Sequence, residues 1–153
     1  MIEVEIEAEA WTEALPDAEA QVRRAVEAAL RAGTAEDAGL VVLLADDRTV
    51  QHLNSRFRAK DRPTNVLSFP APESARPHLG DLVLAFGVCR AEAEAQGKPL
   101  AHHLTHLAVH GALHLLGRDH ENDAEAEAME AEERTILASL GVPDPYRDDH
   151  DAG

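Results

Sequence analysis

Residues 2–9 alternate apolar and acidic side chains, the period of a strand with one buried face. Pro16 and Asp17 then open a helix to about residue 32, with Val22, Val26, Ala29 and Leu30 on one face, and Gly33 stops it. Residues 40–45 form an unbroken apolar run, best read as a buried strand. Val50, Leu53 and Phe57 recur at helical spacing and predict a helix over about 47–57. Pro63 breaks the chain, residues 65–69 read as a short strand, and Pro70, Pro72 and Pro77 mark a loop. A strand over 79–86 and a polar Ala/Glu helix over about 88–96 follow, the helix ending at Gly97. Pro99 opens a helix to Leu116 that stops at Gly117, and a last helix covers about 122–140 and ends at Gly141.

Four strands and about five helices predict an α+β fold. The expectation is a single compact domain over residues 1–153, with one roughly four-stranded mixed sheet packed against the helices. The helix over 99–116 carries Leu104, Leu107, Val109, Leu113, Leu115 and Leu116, which point in several directions, so it is expected to be central and buried. Histidines set into such a helix need partners, because burying an unpaired polar group costs about 1–3 kcal/mol.

Composition narrows the chemistry. Hydrophobic residues make up 44% of the 153 positions but aromatics only 3%, so Leu, Val and Ala must supply most of the core. The single cysteine, Cys89, excludes an internal disulfide and a thiolate-rich metal site, leaving nitrogen and oxygen as metal donors. The first residues lack the basic start and apolar run of a signal peptide, and no apolar stretch is long enough to cross a bilayer. A soluble cytoplasmic protein with no membrane partner is expected. The formal charge of −15 argues against generic binding of polyanions. The charge is uneven, however. Glu121, Asp123, Glu125, Glu127, Glu130, Glu132 and Glu133 form one acidic run, while Arg56, Arg58, Lys60 and Arg62 stand against only Asp61. The plain reading of both runs is two solvated faces; the second also permits a basic patch.

The informative segment is His110-Gly111-Ala112-Leu113-His114-Leu115-Leu116-Gly117-Arg118-Asp119-His120. Residues four apart share a helix face, so His110 and His114 can reach one ion. Gly117 can turn the chain in a left-handed conformation, and His120 can return as a third ligand. Three neutral imidazoles on Zn²⁺ leave a fourth position open for water, as in catalytic sites. His106 lies on the same stripe as His110; it either supports a ligand, touches substrate, or is simply a satisfied or exposed histidine, the last being favoured. The ligand spacing equals that of the long metzincin motif. Zinc proteases, however, place a glutamate general base directly after the first histidine, where this chain has Gly111. The ion itself would then acidify water, polarise substrate and stabilise the developing anion. Phosphodiester hydrolysis suits such a site if a cation nearby holds the phosphate.

The zinc segment resembles that of the YbeY-type endoribonucleases, the bacterial rRNA maturation factors. Other stretches match the family in order: Leu53-Asn54-Ser55-Arg56-Phe57-Arg58-Ala59-Lys60-Asp61, Pro63-Thr64-Asn65-Val66-Leu67-Ser68-Phe69-Pro70, Leu79-Gly80-Asp81-Leu82, and Leu140-Gly141 with Asp144-Pro145-Tyr146. The family has Tyr before the final Asp-His where this chain has Arg118. The resemblance implies a compact α+β fold, one zinc ion and cleavage of single-stranded RNA. It also implies work on the ribosome: maturation of the 3′ end of 16S rRNA and removal of defective ribosomes. The family's arginine beside the zinc falls on Arg58, whose guanidinium suits a phosphate; Arg56, Lys60 and Arg62 become candidate RNA contacts.

The reading is therefore a zinc-dependent endoribonuclease, with His110, His114 and His120 on Zn²⁺, zinc-bound water as the nucleophile and Arg58 on the scissile phosphate. Asp119 either transfers a proton or caps the turn between ligands. Attack by a 2′-hydroxyl is equally compatible with these residues, and other first-row metals suit three imidazoles. Two rivals stand beside it: a zinc peptidase, opposed by Gly111, and a non-catalytic ribosome-assembly factor with structural zinc. For so acidic a chain, the expectation is that the ribosome or a small-subunit protein presents the RNA.

Overall fold

The computed structural model describes residues 1–58, 64–118 and 122–146, the side chain of Arg58 excepted. Strands β1 (Ile2–Ile6), β2 (Gly39–Ala45), β3 (Val66–Pro70) and β4 (His78–Ala85) form one sheet in the order β1-β2-β4-β3. β1, β2 and β4 run parallel, with Val4 opposite Val42 and Val42 opposite Leu82. β3 is antiparallel to β4, placing Ser68 opposite Leu82 at one edge.

Side chains alternate along each strand, so the sheet buries both faces. Val42, Leu44, Leu82 and Leu84 enter the larger core with residues of α2 (Ala18–Ala32), α5 (Leu100–Leu115) and α6 (Asp123–Ser139). Leu43 and Val83 turn to the opposite face, where Val50 and Leu53 of α3 (Asp47–Arg58) cover them. α5 is central: it touches α2, α4 (Phe86–Ala95), α6, β3 and β4. The mixed four-stranded sheet and central helix are those expected.

Six helices are found among the described residues, where about five were expected. The additional one, α1 (Ala10–Ala14), is too short to show a period. It is fixed by Trp11, fully buried, whose indole Nε1 donates to the carbonyl of Ala45 at 2.9 Å and whose ring meets Phe86 edge-on at 5.1 Å. The alternation read over 2–9 outlasts the strand. Beyond Ile6, the amides of Glu7 and Ala8 both donate to Leu44 O (2.9 and 3.1 Å), which ends regular pairing.

Two element ends differ for physical reasons. α4 begins at Phe86 rather than 88, because the Asp47 carboxylate accepts the Val88 amide at 3.0 Å and satisfies the first turn. Gly33 does end α2, but the left-handed residue is Thr34 (φ 53°), and Ala35 N closes on Leu30 O at 2.8 Å. A Cβ on Gly33 would stand 2.8 Å from Leu116 Cδ1, so this glycine serves close packing.

Candidate active site

Along α5, His103, His106, His110 and His114 recur at intervals of three or four and so fall on one face. Successive rings lie edge to face with centroids 6.3, 6.3 and 4.7 Å apart, the shortest separation being that of His110 and His114. Leu104, Ala108 and Ala112 anchor the helix to the core on its other sides. Gly111 faces β4: a Cβ there would stand 2.7 Å from Leu82 Cδ2. Position 111 thus points at the sheet, which leaves no room for the glutamate a zinc peptidase would need. Gly117 is left-handed (φ 97°) as expected, with Arg118 N bonded to Leu113 O at 3.0 Å.

The face opens into a cleft of about 1200 Å³ at the β3 edge of the sheet. Ser68, Phe69 and Pro70 form one wall, the histidines another, Phe57 at the end of α3 a third side, and Pro145 and Tyr146 part of the rim. Glu92, Asn65 and Lys98 line the part nearest His103.

Glu133 holds the arrangement together. Its carboxylate is 1% exposed, yet three groups donate to it: His110 through Nδ1 at 2.9 Å, His106 through Nε2 at 2.7 Å, and the Tyr146 hydroxyl at 2.6 Å. Burial alone would raise its pKa, but the hydrogen bonds from His106, His110 and Tyr146 outweigh that and hold it at about 2. Burial, and then the hydrogen bond to Glu133, push the Tyr146 hydroxyl upward, so Tyr146 stays a donor. A second carboxylate does similar work nearby. Glu92 takes a hydrogen bond from buried His103 (2.8 Å) and from the Asn65 amide (3.1 Å), while burial lowers the pKa of His103 despite Glu92.

Local sequence explains these placements. α6 starts where Asn122 Oδ1 accepts Glu125 N at 2.9 Å and Asn122 Nδ2 returns to Glu125 Oε1 at 2.7 Å. That start sets the phase which turns Met129, Glu133, Ile136 and Leu137 inward. Asp144 accepts the Tyr146 amide at 2.8 Å and pairs with Arg134 at 3.2 Å, folding the following chain back over Glu133.

The expected site residues fall into two groups. His110 and His114 are brought together, and His106 and His110 share the Glu133 carboxylate. Arg56 is exposed, its guanidinium 5.5 Å from the Phe57 ring centroid. Lys60, Arg62, Asp119 and His120 lie outside the described residues, as does the side chain of Arg58. Among the described residues no three His, Cys, Asp or Glu side chains gather as a set of metal ligands.

The acidic run was read as a solvated face, and Glu133 corrects that reading; Glu125 and Glu127 are exposed as expected. The missed signal is phase: Glu133 sits four after Met129 and four before Leu137, within the apolar stripe. Glu92, His103 and Tyr146 were likewise not singled out as site residues. Arg118, where the family carries Tyr, grips the Glu132 carboxylate through Nε at 3.1 and 3.3 Å and Nη2 at 3.3 Å, tying the exit of α5 to α6.

Comparison with known proteins decides the assignment. A family model described as endoribonuclease YbeY matches residues 4–141. This chain belongs to the YbeY family of endoribonucleases. Members similar to it include that of Rhodopseudomonas palustris (strain BisB18), 56% identical over 95% of this chain and 92% of the relative. That of Paramagnetospirillum magneticum is 54% identical over 95% and 94%. The solution structure of TM1509 from Thermotoga maritima, 23% identical, superposes with a TM-score of 0.58 over 96% of this chain and 99% of that one, and shares the fold. With the family comes the enzyme class, an endonuclease acting on RNA. No helix among the described residues is long and apolar enough to cross a membrane.

Proposed function

We propose that this enzyme is a zinc-dependent endoribonuclease of the cytoplasm, cutting single-stranded rRNA in 16S 3′-end maturation and ribosome quality control. In this reading His110, His114 and His120 hold one Zn²⁺, and Arg58 holds the scissile phosphate. The observation that carries the metal site is the bond from His110 Nδ1 to Glu133 at 2.9 Å. Metal-binding histidines commonly give their other ring N–H to a carboxylate, which fixes the tautomer and raises ligand basicity. The donor set therefore fits the ion: an imidazole oriented from behind, a second imidazole one turn on, and no thiolate. When bound, the zinc supplies Lewis acidity and lowers the pKa of a water toward neutrality.

The chain's own residues do the rest. Glu133, ionised far below neutral pH, keeps His110 and His106 turned as donors toward it. Arg58 offers paired N–H donors to phosphate oxygens and stays charged throughout. The ribosome or a small-subunit protein presents the RNA strand.

The test is metal analysis of the purified protein combined with chelator-controlled cleavage of a single-stranded RNA. One zinc per chain and chelator-sensitive cutting are expected, with casein left intact. Arg58→Ala should retain zinc and lose most cleavage; normal cutting by that variant overturns its role. Loss of fold without any chelator-sensitive cleavage would point to a structural metal.

A further inference from the structure

The chain has five aromatic residues, three Phe, one Trp and one Tyr. Buried Trp11 and half-buried Phe86 pair with each other at the core. The other three, Phe57, Phe69 and Tyr146, all line the cleft that contains His110 and His114. Tyr146 is committed to Glu133. Phe57 is different: it is 62% exposed, and neither hydrophobic cluster includes it. A ring so exposed contributes little to the core. Its orientation is nonetheless fixed, because Phe69 packs against it edge to face at 5.9 Å. The Arg56 guanidinium lies over one side of the ring, 5.5 Å from its centroid, and gives the apolar ring a cationic neighbour.

We propose that Phe57 is a stacking platform for one unpaired nucleobase of the RNA strand lying in the cleft, with Arg56 at the adjoining phosphate. This rests on the reading of the cleft as the RNA-cleaving site. Ring and histidines line the same cleft, and an exposed aromatic ring with a guanidinium against it matches a nucleotide in both its parts. Stacking is indifferent to base identity but requires a base free of its own stack and partner. Phe57 would therefore select single strands over duplex without reading sequence.

The test uses the metal-loaded enzyme and single-stranded oligoribonucleotides carrying 2-aminopurine, whose fluorescence is quenched by stacking, followed by stopped flow and by steady-state cleavage. Wild type is expected to quench the probe. Phe57→Ala should lose the quench and raise KM about tenfold, with kcat changed far less. Phe57→Trp should restore both. Since the ring is outside the core, Phe57→Ala should melt within a degree or two of wild type. An undiminished quench and unchanged KM in Phe57→Ala overturn the platform while leaving the RNA reading intact. A wild-type enzyme that neither binds nor cuts the single strand overturns both.

Discussion

At the scale of single residues, Glu133 is the hinge of the site's chemistry. Three donors converge on one buried carboxylate, so losing its charge leaves each with a weaker acceptor. Glu133→Gln nearly preserves shape but presents one oxygen and an amide that competes as donor. The expected outcome is a folded protein whose zinc affinity, measured by competition with a chromogenic chelator, falls about ten- to a hundredfold. Tyr146→Phe removes one donor of the three and should cost less. Equal affinity in wild type and Glu133→Gln would show that the carboxylate does not orient His110. This residue also marks where the sequence stops being legible. His110 and His114 declare themselves by spacing, whereas Glu133 is one acid among seven between residues 121 and 133. Only its phase among Met129, Ile136 and Leu137 separates it from its solvated neighbours.

At the scale of elements, periodicity was sufficient where one face is buried along the length, as in α2, α3 and β1, while β2, buried on both faces, showed as an unbroken apolar run. Periodicity failed where a tertiary contact sets an end. The carboxylate of Asp47 decides where α4 begins, and the buried indole of Trp11 decides that α1 exists. The proposed RNA contacts Arg56, Phe57 and Arg58 all fall in the last turn of α3. Its start is capped by Asp46, whose Oδ1 accepts Thr49 N at 2.8 Å. That backbone hydrogen bond holds the Asp46 carboxyl below its ordinary pKa. A carboxyl with a depressed folded-state pKa contributes stability above its unfolded value, about 3.9, and loses it as pH falls through the folded value. Asp46→Ala should therefore lower stability by about 1 kcal/mol at pH 7, a Tm drop of about 2–4 °C. The gap between variant and wild type should narrow below about pH 4. A gap that stays constant from pH 7 to pH 3 would mean the ionised cap is not its source.

At the scale of the whole molecule, a formal charge of −15 must be reconciled with a polyanionic substrate. Long-range attraction would require a broad basic surface. Among the described residues, the cleft offers Lys98 on its wall and Arg56 beside Phe57, while Glu92 is on the wall itself and Glu130 and Glu132 lie on α6. In the proposed reading, capture comes from short-range contacts and from delivery by a larger assembly. For a single strand, log K falls with log salt at about −0.7 per phosphate neutralised. Two or three phosphate contacts predict a slope no steeper than about −2. Stacking on Phe57 adds a salt-insensitive contribution, so Phe57→Ala should weaken binding by a similar factor at every salt concentration. The measurement is KM for a short single-stranded RNA between 50 and 300 mM salt, free and as part of the small ribosomal subunit. Free RNA should show weak affinity with a shallow slope, and the same sequence in the subunit a markedly lower KM. A steep slope on free RNA would require many basic contacts, and the acidic surface would then be irrelevant to how substrate arrives.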